Sequence, residues 1–123
     1  MSALTDSFAA LPAAVQALAV LAHAHRLQGD AERAAWLFDA ADRLHPDEPA
    51  LLCGLAAAEL GCGHPAQALA ALERMAFGLA AAADSSRLQR AFHLLRAQAL
   101  VGLDRRDEAG AAMRAAADLE LSA

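Results

Sequence analysis

A 34-residue recurrence constrains this chain more than any other feature. Gly29 and Gly63 are 34 residues apart, and so are Ala34 and Ala68. The same shift carries Leu18 and Leu21 onto Leu52 and Leu55, Phe38 onto Leu72, and Ala41 onto Met75. An offset shared at so many places describes a stack of like units, each burying its apolar face on the next. The first copy shows how a unit is built. Gly29 can take a positive φ and close one helix. Asp30 can accept from the free N–H groups that open the next. Ala34, Leu37, Phe38, Ala41 and Leu44 recur at three- and four-residue steps and share one helical face. Pro46 lacks an N–H and biases His45 away from α, which ends that helix. His64-Pro-Ala-Gln-Ala68 repeats the turn-to-helix device of Asp30-Ala-Glu-Arg-Ala34 in different residues.

The composition agrees with helices throughout. Thirty-seven of the 123 residues are alanine and only four are β-branched, so an all-α fold is expected, in one domain over residues 1–123. One helix is expected from about Pro12 to Gln28 and a second up to His45. A third, capped by Asp47 with Pro49 in its first turn, covers Leu51 to Leu60. A fourth starts at Pro65 and turns Ala68, Leu69, Leu72 and Met75 inward. The third unit is displaced, because Ala68 to Ala109 is 41 residues, seven more than the repeat. The surplus lies between Ala76 and Asp84. Seven residues make two helical turns within about 20° of phase, so the fourth helix is expected to run on past Gly78 towards Ala83, with a loop over residues 76–84 as the alternative. Ser86 and Gln89 read as a capping box for a helix from Arg87 to about Val101. Asp107-Glu108-Ala109 opens a last helix with Ala109, Met113, Ala116 and Leu119 on its face. Residues 1–10 form a lead-in, with Asp6 or Ser7 as a cap. The units span about 15–48, 49–83 and 86–121, six to seven helices in all.

Several function classes are disfavoured. The net charge is −5, and the ten basic residues are all Arg, scattered among carboxylates, which argues against a nucleic-acid footprint. There is no Tyr, and Trp36 and four Phe are the remaining aromatics, too few for a base-stacking platform. Cys53 and Cys62 have neither disulfide-framework nor CxxC spacing and read as small apolar residues in a reducing compartment. Residues 7–25 carry no Asp, Glu, Lys or Arg. That run is mostly Ala, is interrupted by Pro12, Gln16 and His23, and follows an acidic residue, so it reads as a core-facing helix of a soluble protein rather than a leader or a span. No histidine lies three or four residues from another His or a Cys, the spacing that puts two metal ligands on one helical face. With no phosphate loop, nucleophile elbow or paired-carboxylate site, neither an enzyme nor a cofactor is expected.

The small, bulky, small and Pro places at Ala34, Phe38, Ala41 and Pro46, with the turn glycine at Gly29, resemble the second helix of a tetratricopeptide repeat (TPR). Leu18, Leu21, Ala22 and His25 take the packing places of the matching first helix. The resemblance implies a stack whose first helices line a concave groove. The family's groove places fall on Gln16, Ala19, Val20, His23, Arg26 and Leu27 in the first unit. In the second they are Ala50, Cys53, Gly54, Ala57, Leu60 and Gly61, and in the third Ala91, Leu94, Leu95, Gln98, Val101 and Gly102. Almost all are small or apolar, which would make a contiguous exposed patch of the kind that binds something. Gly54 inside a helix costs about 1 kcal/mol against Ala, which fits a foreign backbone coming close there.

Within the TPR proteins the chain looks most like the small chaperones of bacterial type III secretion, the YscY type that holds the export component YscX. The run Gly29-Asp-Ala-Glu-Arg-Ala34 followed by Leu37, Asp39, Ala40, Leu44, Pro46 and Glu48 carries this resemblance. It implies a cytoplasmic chaperone that keeps an apolar helical segment of an export component or secreted subunit soluble. It implies no membrane insertion, and a homodimer when cargo is absent. The expected cargo contacts are Val20, His23 and Leu27, then Cys53, Gly54, Ala57 and Leu60, then Leu94, Leu95 and Gln98. Two other readings stay open. One is a TPR adaptor that reads a charged peptide terminus, for which Arg26 alone supplies a clamp. The other is a self-associating module. The lead-in folding back into the groove is a further alternative.

Overall fold

In a computed structural model that describes residues 8–81 and 86–122, the chain is all-helical. Among the described residues six helices follow one another: α1 Ala13–Leu27, α2 Ala31–Leu44, α3 Pro49–Gly61, α4 Pro65–Ala81, α5 Ser86–Gly102 and α6 Arg106–Ser122. Each packs on its neighbour in sequence, and α1 also meets α3 and α3 meets α5. The result is three helical hairpins stacked side by side, with the first helix of each hairpin on one side of the stack. The proposed caps Asp6 and Ser7 and residues 82–85 lie outside the described residues.

The hairpin turns are one device used three times. Asp30 N–H donates to the His25 carbonyl at 2.9 Å, His64 N–H to Glu59 at 2.9 Å, and Arg105 N–H to Leu100 at 2.8 Å. A second bond inside each turn joins Gly29 to Arg26, Gly63 to Leu60 and Asp104 to Val101. This is the Schellman arrangement, which satisfies the last carbonyls of a helix and needs a residue at positive φ. Gly29 (φ 84°) and Gly63 (φ 76°) supply it without strain, whereas Asp104 holds φ 58° with a Cβ. Asp30 then accepts from Arg33 N–H at 3.2 Å and caps α2 as its sequence predicts. Across the first two turns a histidine–carboxylate contact is reversed end for end. His25 faces Asp30 at 3.7 Å, and at the equivalent places Glu59 faces His64 at 3.0 Å.

Two contiguous cores fill the stack, one between the first hairpin and α3, the other from α3 to α6. The first is centred on Phe38, which is fully buried and tilted against Phe8 at 6.2 Å between ring centroids. A Cβ on Gly54 would collide with the Phe38 ring. The room above Gly54 therefore belongs to the chain's own aromatic rather than to a foreign backbone. At the far end of the same junction Gly61 meets the Ala31 methyl, and a Cβ there would sit 2.9 Å from it. The next junction repeats this contact with Gly102 over Pro65, again 2.9 Å for an added Cβ. Ala31 to Pro65 is 34 residues and Gly61 to Gly102 is 41, so the third hairpin docks in the same register once the seven-residue surplus is passed. The surplus begins as helix. α4 runs through Gly78, and Leu79 is buried along with Leu72 and Met75, as two added turns require.

Four packing expectations change. Asp47 does not cap α3; Glu48 is the N-cap and makes no side-chain cap bond. Asp47 instead takes φ 65° and turns its carboxylate to Arg74 of α4, which donates to it at 2.8 Å and to buried Asp42 at 3.0 Å. That bridge, 27 and 32 residues apart in sequence, outweighs the local cap. Leu44 is exposed, and Asp42 takes the buried place near the end of α2. Leu21 is half exposed although its counterpart Leu55 packs against both cores. Met113 is 52% exposed although Phe38 and Leu72 are fully buried, because no further hairpin covers α6 among the described residues.

Gly54→Ala should destabilise the fold by about 2 kcal/mol through overpacking against Phe38. Adding Phe38→Leu should recover most of that loss in chemical denaturation. Asp104→Gly should raise stability by about 0.5–1 kcal/mol by relieving the left-handed conformation, read as a higher melting temperature.

Candidate functional site

The junction contacts divide the expected groove residues between two surfaces. Gly54 and Gly61 face the preceding hairpin. Their equivalents in the first unit, Val20 and Leu27, therefore lie on the outer flank of α1. Their equivalents in the third, Leu95 and Gly102, lie against the second hairpin, where Leu95 packs on the second core. The remaining groove places, on α1, α3 and α5, define the side of the stack that the resemblance expects to be hollow.

In the hollow, the end nearest the first hairpin is closed by the chain itself. Ala19, His23, Ala50 and Cys53 are buried. Phe8 supplies part of that cover, since it is fully buried with its ring edge-on to His23 at 6.5 Å. The open end lies between α3 and α5. There Ala57, Leu60, Ala91 and Leu94 are half-buried, and Gln98 and Val101 are exposed. No carboxylate takes a groove place on any of the three helices, and Arg26 is the charged residue among them. Of the ten expected cargo contacts, Ala57, Leu60, Leu94 and Gln98 are thus the half-buried or exposed ones at the open end, although Leu60, like Leu95, packs partly on the second core. His23, Cys53 and Gly54 lie inside the molecule, Leu95 lies against the second core, and Val20 and Leu27 lie on the flank.

The floor of the hollow is polar in one spot. Arg26 Nη2 donates to His23 Nδ1 at 3.3 Å, which leaves Nε2 to carry the proton of a neutral ring. Burial, and then the Arg26 charge, hold the His23 pKa below its ordinary value. Arg26 Nε is buried without a hydrogen-bond partner among the described residues. Burial pushes the Cys53 thiol up to about 11, against a smaller opposite pull from Arg26. Cys62 is also raised, by burial first and then by Glu59, Glu32 and Asp30, so neither thiol is activated.

A second concavity was not visible in the sequence. Leu69, Leu72, Glu73, Ala76, Phe77, Phe92 and Arg96 surround a cleft of about 390 Å³ between α4 and α5. Phe77 stands at its rim, 84% exposed. The surplus in α4 was the one signal for it, since Phe77 and Ala76 sit where the extension begins.

Among the described residues no group of three or more His, Cys, Asp or Glu is placed to hold a metal ion. Nor is any of their helices long and apolar enough to cross a membrane. No family model and no curated protein matches the chain.

His23 and His93 are both held below the ordinary histidine pKa of 6.5, each by burial and then a neighbouring Arg. The unfolded chain therefore binds these protons more readily. Their contribution to stability is complete above pH 6.5 and is lost as pH falls through 6.5 towards the folded values. Melting temperature should drop between pH 7.5 and 5.5, and His23→Gln with His93→Gln should flatten that slope. An unchanged slope in the double variant would refute the assignment.

Proposed function

We propose that the chain is a TPR-type chaperone whose hollow between α3 and α5 holds an apolar helical segment of a partner protein. The observation that carries this reading is the set Ala57, Leu60, Leu94 and Val101, half-buried or exposed, free of carboxylates and bordered by Gln98. Apolar surface that stays half-open on two facing helices is where an amphipathic helix lays its own apolar face. Leucines supply the anchoring contacts.

The resemblance to the YscY-type chaperones supports a more specific form. The partner is then a small type III export component or secreted subunit with helices that aggregate alone. The chaperone keeps them soluble in the cytoplasm and yields them to the export machinery. The burial of His23, Cys53 and Gly54 shortens the contact surface that this form predicts, so the load falls on the open end of the hollow. The helical-hairpin stack is compatible with a binding role and does not select the cargo.

Co-expression with the product of a neighbouring reading frame, followed by co-purification, tests the proposal. Leu60→Arg and Leu94→Glu should each weaken capture at least tenfold while circular dichroism keeps its helical signal. Undiminished capture by both variants would remove the hollow as the binding site.

A further inference from the structure

The repeat also shows which side chains the stack does not require. Trp36 is the chain's single tryptophan, and its place is taken by Ala70 in the second unit and Ala111 in the third. All three places are exposed. The stack closes twice with a methyl there, so packing gives no reason for an indole. Trp36 is nevertheless left 71% exposed, a large apolar ring that folding normally covers.

The ring borders a concavity of about 320 Å³, together with Glu32, Ala35 and Asp39 of α2, Glu59 of α3, and Cys62 and His64 of the turn that follows. Carboxylates converge on it from both helices. After burial, the charges that raise the Cys62 thiol are those of Glu59, Glu32 and Asp30. Glu32 is exposed and enters no ion pair among the described residues. Asp39 meets Arg43 at 3.0 Å and Glu59 meets His64 at 3.0 Å, surface pairs of the kind that are worth little and exchange readily. Among the described residues no ring or cation of the chain stacks on the indole.

Charge selects the occupant. Residues 1–63 hold eight carboxylates and three Arg, and residues 64–123 hold seven of each, so the whole net charge of −5 lies in the first half. An acidic field beside an uncovered indole attracts cations and repels phosphate, and Trp is the best aromatic face for a guanidinium or ammonium. An apolar helix laid here would bury Glu32 without a partner. No three His, Cys, Asp or Glu among the described residues are placed to hold a metal ion, which leaves an organic cation. One such contact is weak in water, so affinity needs several basic side chains on one segment.

We propose that the outer face of α2 at Trp36 is a docking surface for a basic segment of a partner protein. An Arg or Lys of that segment lies on the indole, and its basic neighbours face Glu32, Asp39 and Glu59. None of these residues takes a groove place, so the surface is separate from the hollow between α3 and α5 and its test does not depend on that reading.

Because Trp36 is the single tryptophan, its emission reports on this surface directly. An amidated hexa-arginine peptide should change that emission saturably, and raising salt from about 50 to 500 mM should weaken binding about tenfold. By calorimetry, Trp36→Leu should weaken binding about fivefold and Trp36→Phe less, since a phenyl face keeps part of the attraction. Glu32→Gln with Glu59→Gln should also weaken it about fivefold. Asp107→Asn with Glu108→Gln removes the same charge on α6 and should leave the affinity nearly unchanged. Circular dichroism checks that each variant keeps its helices. No saturable change, an affinity that Trp36→Leu leaves alone, equal loss in the α6 variant, or equal binding of hexa-glutamate would each overturn the proposal.

Discussion

The Phe38 ring lies where a Cβ on the next hairpin would otherwise be, and the first half of the molecule is arranged around that contact. A ring against bare backbone brings α2 close to α3 without a void, which a close-packed interior demands. Phe8 covers another side of the ring, and His23 stacks edge-on to Phe8. The two rings together thus tie residue 8, α1, α2 and α3 to one another. The second junction fills the same place differently: Leu72 stands for Phe38, and Leu95 stands for Gly54. Large against none, or medium against medium, keeps the stacking distance while the individual sizes change.

Much of this was legible because the turns are local. Gly29, Asp30, Pro46 and Pro65 act on their own neighbours, so the helix limits follow from composition and spacing within one residue or two. The shift of 34, and the seven-residue surplus as two added turns, needed nothing beyond the numbering. Contacts between distant segments were not legible. Asp47 has every local mark of a cap, but Arg74 lies 27 residues away and claims it. Phe8 sits among alanines with no periodicity to announce that it is wholly buried. The groove pattern merged two surfaces because successive first helices curve past one another, and only the contacts of Gly54 and Gly61 show which places face the preceding hairpin.

The repeat also explains why the ends differ from the middle. Leu55 and Leu72 have neighbours on both sides, while Leu21 and Met113 have one, so equal sequence positions reach unequal burial. Apolar side chains left at the first helix and in the open hollow therefore have different origins. Those on α1 belong to the stacking surface of the repeat. Those on α3 and α5 belong to its concave side.

Arg74 has a consequence for how the stack comes apart. In a linear array, each unit's stability is coupled to its neighbours through the junctions alone. The junction between the first two hairpins carries this guanidinium, shared by Asp42 of α2 and Asp47 of the connecting turn, on top of its aromatic packing. The junction to the third is dominated by leucines and alanines. Dissolved ions weaken the first kind of bond, and strongly hydrated salts reinforce the second. Ionic strength thus decides how far the three hairpins melt as one cooperative block and how far the outer ones fray separately.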